Sequence, residues 1–134
     1  MFCCNSRLRY LLAVTVVAAV LVSCGDDTLA PFQPEITSAV DNFQLQATGV
    51  KNRTTVLNYD WQNTGTRAKV NHSTSTTAGS ARLRISDAVG TVVYDEALVP
   101  SLSDTTAVGA TGAWKIRLTL NAYSGTLNFR VQKI

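Results

Sequence analysis

The chain has 134 residues, of which 46% are hydrophobic and 16% charged, and a net charge of +3. Its 12 basic residues face 9 acidic ones; Arg7 and Arg9 lie at the extreme N-terminus, and without them 10 basic residues remain, a net charge of only +1 over the rest of the chain. A nucleic-acid-binding protein is expected to show a marked basic excess, so this balance argues against nucleic acid as a partner.

Arg7 and Arg9 precede an apolar run from Tyr10 to Val22 that is too short to span a bilayer and ends in small residues ahead of a break. That is the pattern of a secretory signal, not of a transmembrane helix. The closing residues Leu21-Val22-Ser23-Cys24 resemble the lipobox of bacterial lipoproteins. The resemblance implies that a diacylglyceryl group is added to Cys24 and that cleavage just before it leaves this cysteine as the new N-terminus. Residues 1–23 are then a lipoprotein signal peptide, and Cys24 is the site of lipid attachment, with acyl chains such as palmitate. Burial contributes roughly 0.8 kcal/mol per methylene, so two or three chains make a lasting membrane anchor.

Removing 23 of the 134 residues leaves 111, the size of one domain. Cys3 and Cys4 fall in the removed segment and Cys24 is acylated, so the folded part has no thiol. Disulfides, cysteine nucleophiles and thiolate metal sites are excluded there, and stability must come from the core. Asp26-Asp27, just after the cysteine, resemble the surface-export signal of some Bacteroidetes-type lipoproteins; the alternative is a solvated linker.

Residues 24–40 contain two prolines, polar residues and isolated apolar ones, without a sustained period of two or 3.6. They read as a flexible tether reaching up to roughly 3.3 Å per residue, with Phe32 and Ile36 able to dock on a domain edge. From residue 41 the pattern becomes strand-like. Phe43, Leu45 and Ala47 alternate with polar neighbours, residues 49–52 form a turn, and Leu57, Tyr59 and Trp61 follow in a run rich in β-branched and aromatic residues. Asn63-Thr64-Gly65-Thr66 supplies a turn, and a third strand runs from about Arg67 to Thr74. Residues 73–80 are left open between loop and edge extension. Ala81, Leu83 and Ile85 join through Asp87-Ala88-Val89-Gly90 to a strand over 91–97. Residues 101–106 read as a crossover, with a short edge strand over 106–110. Trp114, Ile116, Leu118 and Leu120, a turn at 121–125, and Leu127, Phe129 and Val131 read as a hairpin.

Seven or eight short strands with no helical run after the signal define an all-β chain, a single antiparallel β-sandwich over residues 41–134. A small closed barrel is the alternative. The run Tyr59-Asp60-Trp61-Gln62-Asn63-Thr64-Gly65-Thr66-Arg67-Ala68 resembles the strand-turn-strand of bacterial immunoglobulin-like domains, including the CARDB type. Gly112-Ala113-Trp114 with its following alternation is similar to their penultimate strand. The resemblance implies an immunoglobulin-like fold in an extracytoplasmic setting; there is no Cys…Trp…Cys framework of the antibody type.

The residues offer no catalytic motif. His72 is the only histidine, which leaves a triad or zinc site without partners and makes a structural role the better reading. Asp95 and Glu96 are adjacent on a strand and so point to opposite faces, unable to converge on one metal ion or one glycosidic bond. No cofactor and no metal are expected. Arg82, Arg84, Lys115, Arg117 and Arg130 fall on outward positions of their strands; if those strands share a sheet, the five form a basic stripe able to receive an anionic glycan, lipid head groups or an acidic partner. The opposing reading is a solvated face that discourages edge aggregation. Tyr123, placed in the last turn, and Phe32 are the rings expected to be free to meet a ligand.

The sequence reading is thus a non-enzymatic, lipid-anchored protein of the cell envelope, at the outer membrane on its periplasmic or outer side, presenting a β-sandwich as an interaction module. Its partners are the membrane, through the anchor, and an envelope protein or anionic glycan. The alternative is a small exported inhibitor or accessory subunit acting through a loop such as 101–111 or 121–125, ahead of a carbohydrate-binding module or an enzyme.

Overall fold

The computed structural model describes residues 32–134; the signal segment, Cys24 and the tether up to residue 31 lie outside the described residues. The strands are β1 (Glu35–Ala39), β2 (Asn42–Asn63), β3 (Ala68–His72), β4 (Ser75–Ser86), β5 (Val92–Ala97), β6 (Leu102–Thr105) and β7 (Gly112–Lys133). Every pairing is antiparallel, and no helix occurs among the described residues.

Two strands of 22 residues organise the fold. β2 and β7 pair along their whole length, from Asn42 opposite Gln132 to Asn63 opposite Gly112, with register shifts between Ala47 and Thr55. Such irregularities bend a strand and increase its twist, so each long strand serves two layers. The first layer runs β1, the first half of β2, the second half of β7, β3 and β6. The second runs the second half of β2, the first half of β7, β4 and β5. One continuous sheet thereby folds over into an antiparallel β-sandwich. Phe43 and Tyr59 show how far: extended, β2 would hold them roughly 50 Å apart, yet their ring centroids are 5.5 Å apart.

The bend corrects two expectations. Residues 49–52 and 121–125 read as chain reversals, and the C-terminal run as a hairpin; both segments instead kink a strand whose two halves stay paired in one β2–β7 ladder while folding onto different layers. Gly49, Asn52, Ala122 and Gly125 all have positive φ. Bulges and tight turns ask for the same residues, so local sequence does not separate them. Residues 75–80 also become strand, following the kink from Ser75 opposite Thr126 to Ser80 opposite Asn121. The short edge strand is β6, a few residues before the position expected.

β1 lies inside the segment read as tether. It is exposed on both faces and is held by backbone pairing with Asn42–Gln46, so it has no burial period for a sequence reading to find. Asp41 turns the chain into β2 at a φ of 64°. Its carboxylate accepts the Thr64 N–H at 2.7 Å and pairs with Lys133 Nζ at 3.2 Å, and the first of these bonds is the main reason its pKa lies below the ordinary carboxylate value.

Inward positions follow the expected parity. Phe43, Leu45, Leu127, Phe129 and Val131 fill the first layer's inner face, and Trp61, Leu83, Ile85, Trp114, Ile116 and Leu118 the second's, all fully buried. Trp61 and Trp114 are cross-strand partners in an edge-to-face contact at 5.8 Å. Their indole N–H groups donate to Ala39 O at 3.1 Å and Ala110 O at 2.7 Å, which satisfies the polar atoms that burial would otherwise strand.

Candidate functional site

Strand alternation sends every second side chain of the second layer outward, and the register sets those side chains in rows. Across β2, β7, β4 and β5 one row reads Asn58, Arg117, Arg84, Asp95. In the adjacent row Thr119 of β7 stands opposite Arg82 of β4. Arg82, Arg84, Arg117, Asp95 and Thr119 line a surface pocket of about 190 Å³.

The charges in this pocket are unequally matched. Asp95 takes Arg82 Nε at 2.6 Å, and Arg84 through Nη2 at 3.1 Å and Nε at 3.3 Å. The Arg82 bond, aided by Arg84 and opposed by partial burial, holds the Asp95 carboxyl below its usual range. Arg117 has no hydrogen-bond or ion-pair partner among the described residues. Lys115, one row away, is neutralised by Asp60 at 2.7 Å.

The expected stripe is therefore four residues on one face, not five. Arg130 lies on the outer face of the first layer, because the kink in β7 sends residues 112–120 and 127–133 to different layers. There its Nη2 donates to Gln44 Oε1 at 3.1 Å, beside a pocket of about 260 Å³ lined by Gln44, Asn71, Ser73, Asn128 and Arg130. Tyr123 is corrected outright. Its ring is completely buried at the kink, with the hydroxyl 3.3 Å and 3.2 Å from the carbonyl oxygens of Ser75 and Thr126; burial raises its phenol pKa. Phe32 is half-buried.

His72 is buried between the layers. The Val99 N–H approaches Nδ1 at 3.4 Å, so the proton of the neutral ring sits on Nε2, which donates to Tyr94 Oη at 2.7 Å. Desolvation lowers its pKa, against the opposing pull of Asp104 and Glu96. Both nitrogens are occupied, leaving neither to accept a proton from a serine. No group of three or more His, Cys, Asp or Glu side chains is placed to hold a metal ion among the described residues.

Sequence reasoning missed Asp87. This buried carboxylate accepts the N–H groups of Val89 at 3.1 Å and Thr91 at 2.8 Å on Oδ1, and of Ala110 at 2.8 Å on Oδ2. These bonds, that of Ala110 foremost, hold its pKa low. They tie the β4–β5 hairpin to the loop before β7 and leave Val89 and Val108 exposed nearby in sequence. The Asp-Ala-Val-Gly turn is the available signal; the third donor, Ala110, is visible only in the fold.

Neither a protein-family model nor a curated protein matches the chain. Among solved structures, the chain is similar to a carbohydrate-binding module of Cellvibrio mixtus lichenase 5A, solved with cellotriose, at 16% identity and a TM-score of 0.45 over 77% of this chain and 87% of that one. It is also similar to the C-terminal family 6 carbohydrate-binding module of a marine laminarinase from Zobellia galactanivorans, at 8% identity and a TM-score of 0.36 over 75% and 88% of the two chains. A third likeness is to the capsular polysaccharide assembling protein CapF of Staphylococcus aureus, at 8% identity and a TM-score of 0.35 over 81% of this chain and 30% of that one. Overlaps of this quality transfer no function.

Proposed function

We propose that this chain is a non-enzymatic, lipid-anchored protein of the cell envelope whose β-sandwich is a binding module, with the outer face of its second layer as the contact surface and an anionic glycan as the partner. The observation that carries the reading is the unequal charge in the pocket on that face: Arg82, Arg84 and Arg117 line it with a single carboxylate, Asp95, which pairs with Arg82 and Arg84 and leaves Arg117 unmatched. The arginines stand on paired strands, so their backbone positions are set before a ligand arrives, and Asp95 already holds Arg82 and Arg84; ordering the Arg117 side chain costs roughly 0.5–1.5 kcal/mol. The anchor rests on Leu21-Val22-Ser23-Cys24, and the segment after Cys24 gives the module reach from the membrane.

The test takes the full chain and its Cys24→Ala variant from a bacterial host and compares intact mass and partition between membrane and soluble fractions. The detergent-extracted wild type is then titrated with polygalacturonate and with neutral dextran. Acylation lost in the variant, together with binding to the acidic polymer alone, is the expected result. An unacylated wild type overturns the anchor, and equal affinity for dextran overturns the charge-based contact.

A second reading, an inhibitor or accessory subunit, draws on the loop before β7. Asp87 pins it while Val89 and Val108 are 76% and 68% exposed, as an apolar anchor for a protein partner would be. A stoichiometric complex with another envelope protein, lost in Val108→Asp, would favour it.

A further inference from the structure

Resting on the binding reading above, we infer that Arg117, Arg84 and Thr119 seat the carboxylate of one acidic sugar residue of the glycan, with Asp95 acting as a built-in competitor for the same arginines. The cluster already demonstrates the chemistry it favours. Asp95 bridges the two arginines, giving Oδ1 to Arg82 at 2.6 Å and Oδ2 to Arg84 at 3.1 Å, charge-assisted bonds of the kind that guanidinium groups make with carboxylates. Arg117 stands on the other side of Arg84, lines the same pocket, and has no hydrogen-bond or ion-pair partner among the described residues. A second carboxylate placed between Arg117 and Arg84 would relieve their mutual repulsion.

The surroundings suit a sugar better than a bare ion. Thr119 lines the pocket, and Asn58 stands beside Arg117 on β2; hydroxyl and amide side chains both donate and accept, as ring hydroxyls require. The face is also locally specific. Lys115 carries the same charge a row away but is already matched by Asp60, so a ligand attracted only by diffuse charge would not distinguish it from Arg117, whereas a seated carboxylate would.

The experiment uses the full chain in neutral detergent, run by affinity electrophoresis through gels containing polygalacturonate, dextran sulfate or dextran, with wild type, Arg117→Ala, Lys115→Ala and Asp95→Asn. Arg117→Ala and Lys115→Ala remove one positive charge each. The expected result is a loss of about tenfold or more in polygalacturonate affinity for Arg117→Ala, a change of less than about threefold for Lys115→Ala, and tighter binding for Asp95→Asn, which releases two arginines. All three substituted side chains stand on the outer face, and a thermal melt reports whether each variant is folded; the gain in Asp95→Asn tests the inference even if Arg117→Ala is lost to misfolding. Equal losses in Arg117→Ala and Lys115→Ala, or weaker binding by Asp95→Asn, overturn the seat while leaving a charge-driven binding face intact. Binding to dextran sulfate, or to phosphatidylglycerol vesicles in sedimentation, with none to polygalacturonate overturns the acidic-sugar assignment. Absence of binding to every polyanion overturns both the seat and the reading it rests on.

Discussion

Arg84 and Arg117 stand directly opposite each other across the pairing of β4 with β7. Like charges in that position repel. Asp95 relieves Arg84 from the β5 side and leaves Arg117 exposed to its neighbour, so the fold gives up stability to keep the pair. Arg117→Gln is therefore expected to stabilise the domain by roughly 0.2–1 kcal/mol, read as a higher urea midpoint at low salt. The gain should shrink in about 1 M salt, where the screening length is near 3 Å. A lower midpoint at low salt would mean that Arg117 supports the fold.

Trp114 is fully buried, packs edge-to-face on Trp61 and donates its indole N–H to Ala110. Trp114→Ala removes a large side chain from the inner face of the second layer and leaves a cavity, at a cost of about 3–5 kcal/mol. A loss under about 1 kcal/mol in denaturant melts would place the ring outside the core.

The His72 pKa is depressed by burial below its unfolded value of 6.5. Below that value the unfolded chain binds a proton that the folded one refuses, so folding becomes less favourable as pH falls. The loss should begin near pH 6.5 and level off below the folded pKa. Asp41, Asp87 and Asp95, whose folded pKa values are lowered from 3.8, contribute stability above that value that is lost only at lower pH. Urea midpoints from pH 8 to pH 5 should therefore fall for wild type and stay flatter for His72→Gln. Parallel curves would count against a buried neutral ring.

At Gly125 the backbone has a φ of 143°, and a Cβ there would overlap the Ser75 carbonyl oxygen. At Gly49, the other glycine of the kink between β2 and β7, φ is 63° and a Cβ would meet nothing within 4 Å. Gly49→Ala should cost about 1–2 kcal/mol from backbone strain alone. Gly125→Ala should cost more, because strain and overlap with β4 combine. Equal melts for the two variants would show that β4 can move away from the kink.

Much of the sandwich was legible because alternation is a direct consequence of a sheet with one wet face: every core position from Phe43 to Val131 named above lies on the apolar parity. What escaped was connectivity. Gly49 and Gly125 mark kinks and turns alike, and only the continued pairing of Arg53 with Tyr123 across the bend separates the two. The same ambiguity misplaces Tyr123, which lies in the core and not at a loop tip, and Arg130, which is outward within its own half of β7 as Arg117 is in the other, but on the opposite layer. The Arg82–Arg84–Arg117 cluster was visible as outward residues; its imbalance depends on where Asp95 lands, which is set by the β4–β5 register.

Two outer faces carry polar pockets, and the second layer's is the one expected to meet the ligand. Backbone amide shifts of the isotope-labelled full chain in neutral detergent micelles, recorded with and without oligogalacturonate, measure this directly. Perturbations centred on Arg84, Asp95, Arg117 and Thr119 are expected. Shifts gathered instead around Gln44, Asn71 and Arg130 on the first layer, or no shifts at saturating ligand, would contradict it.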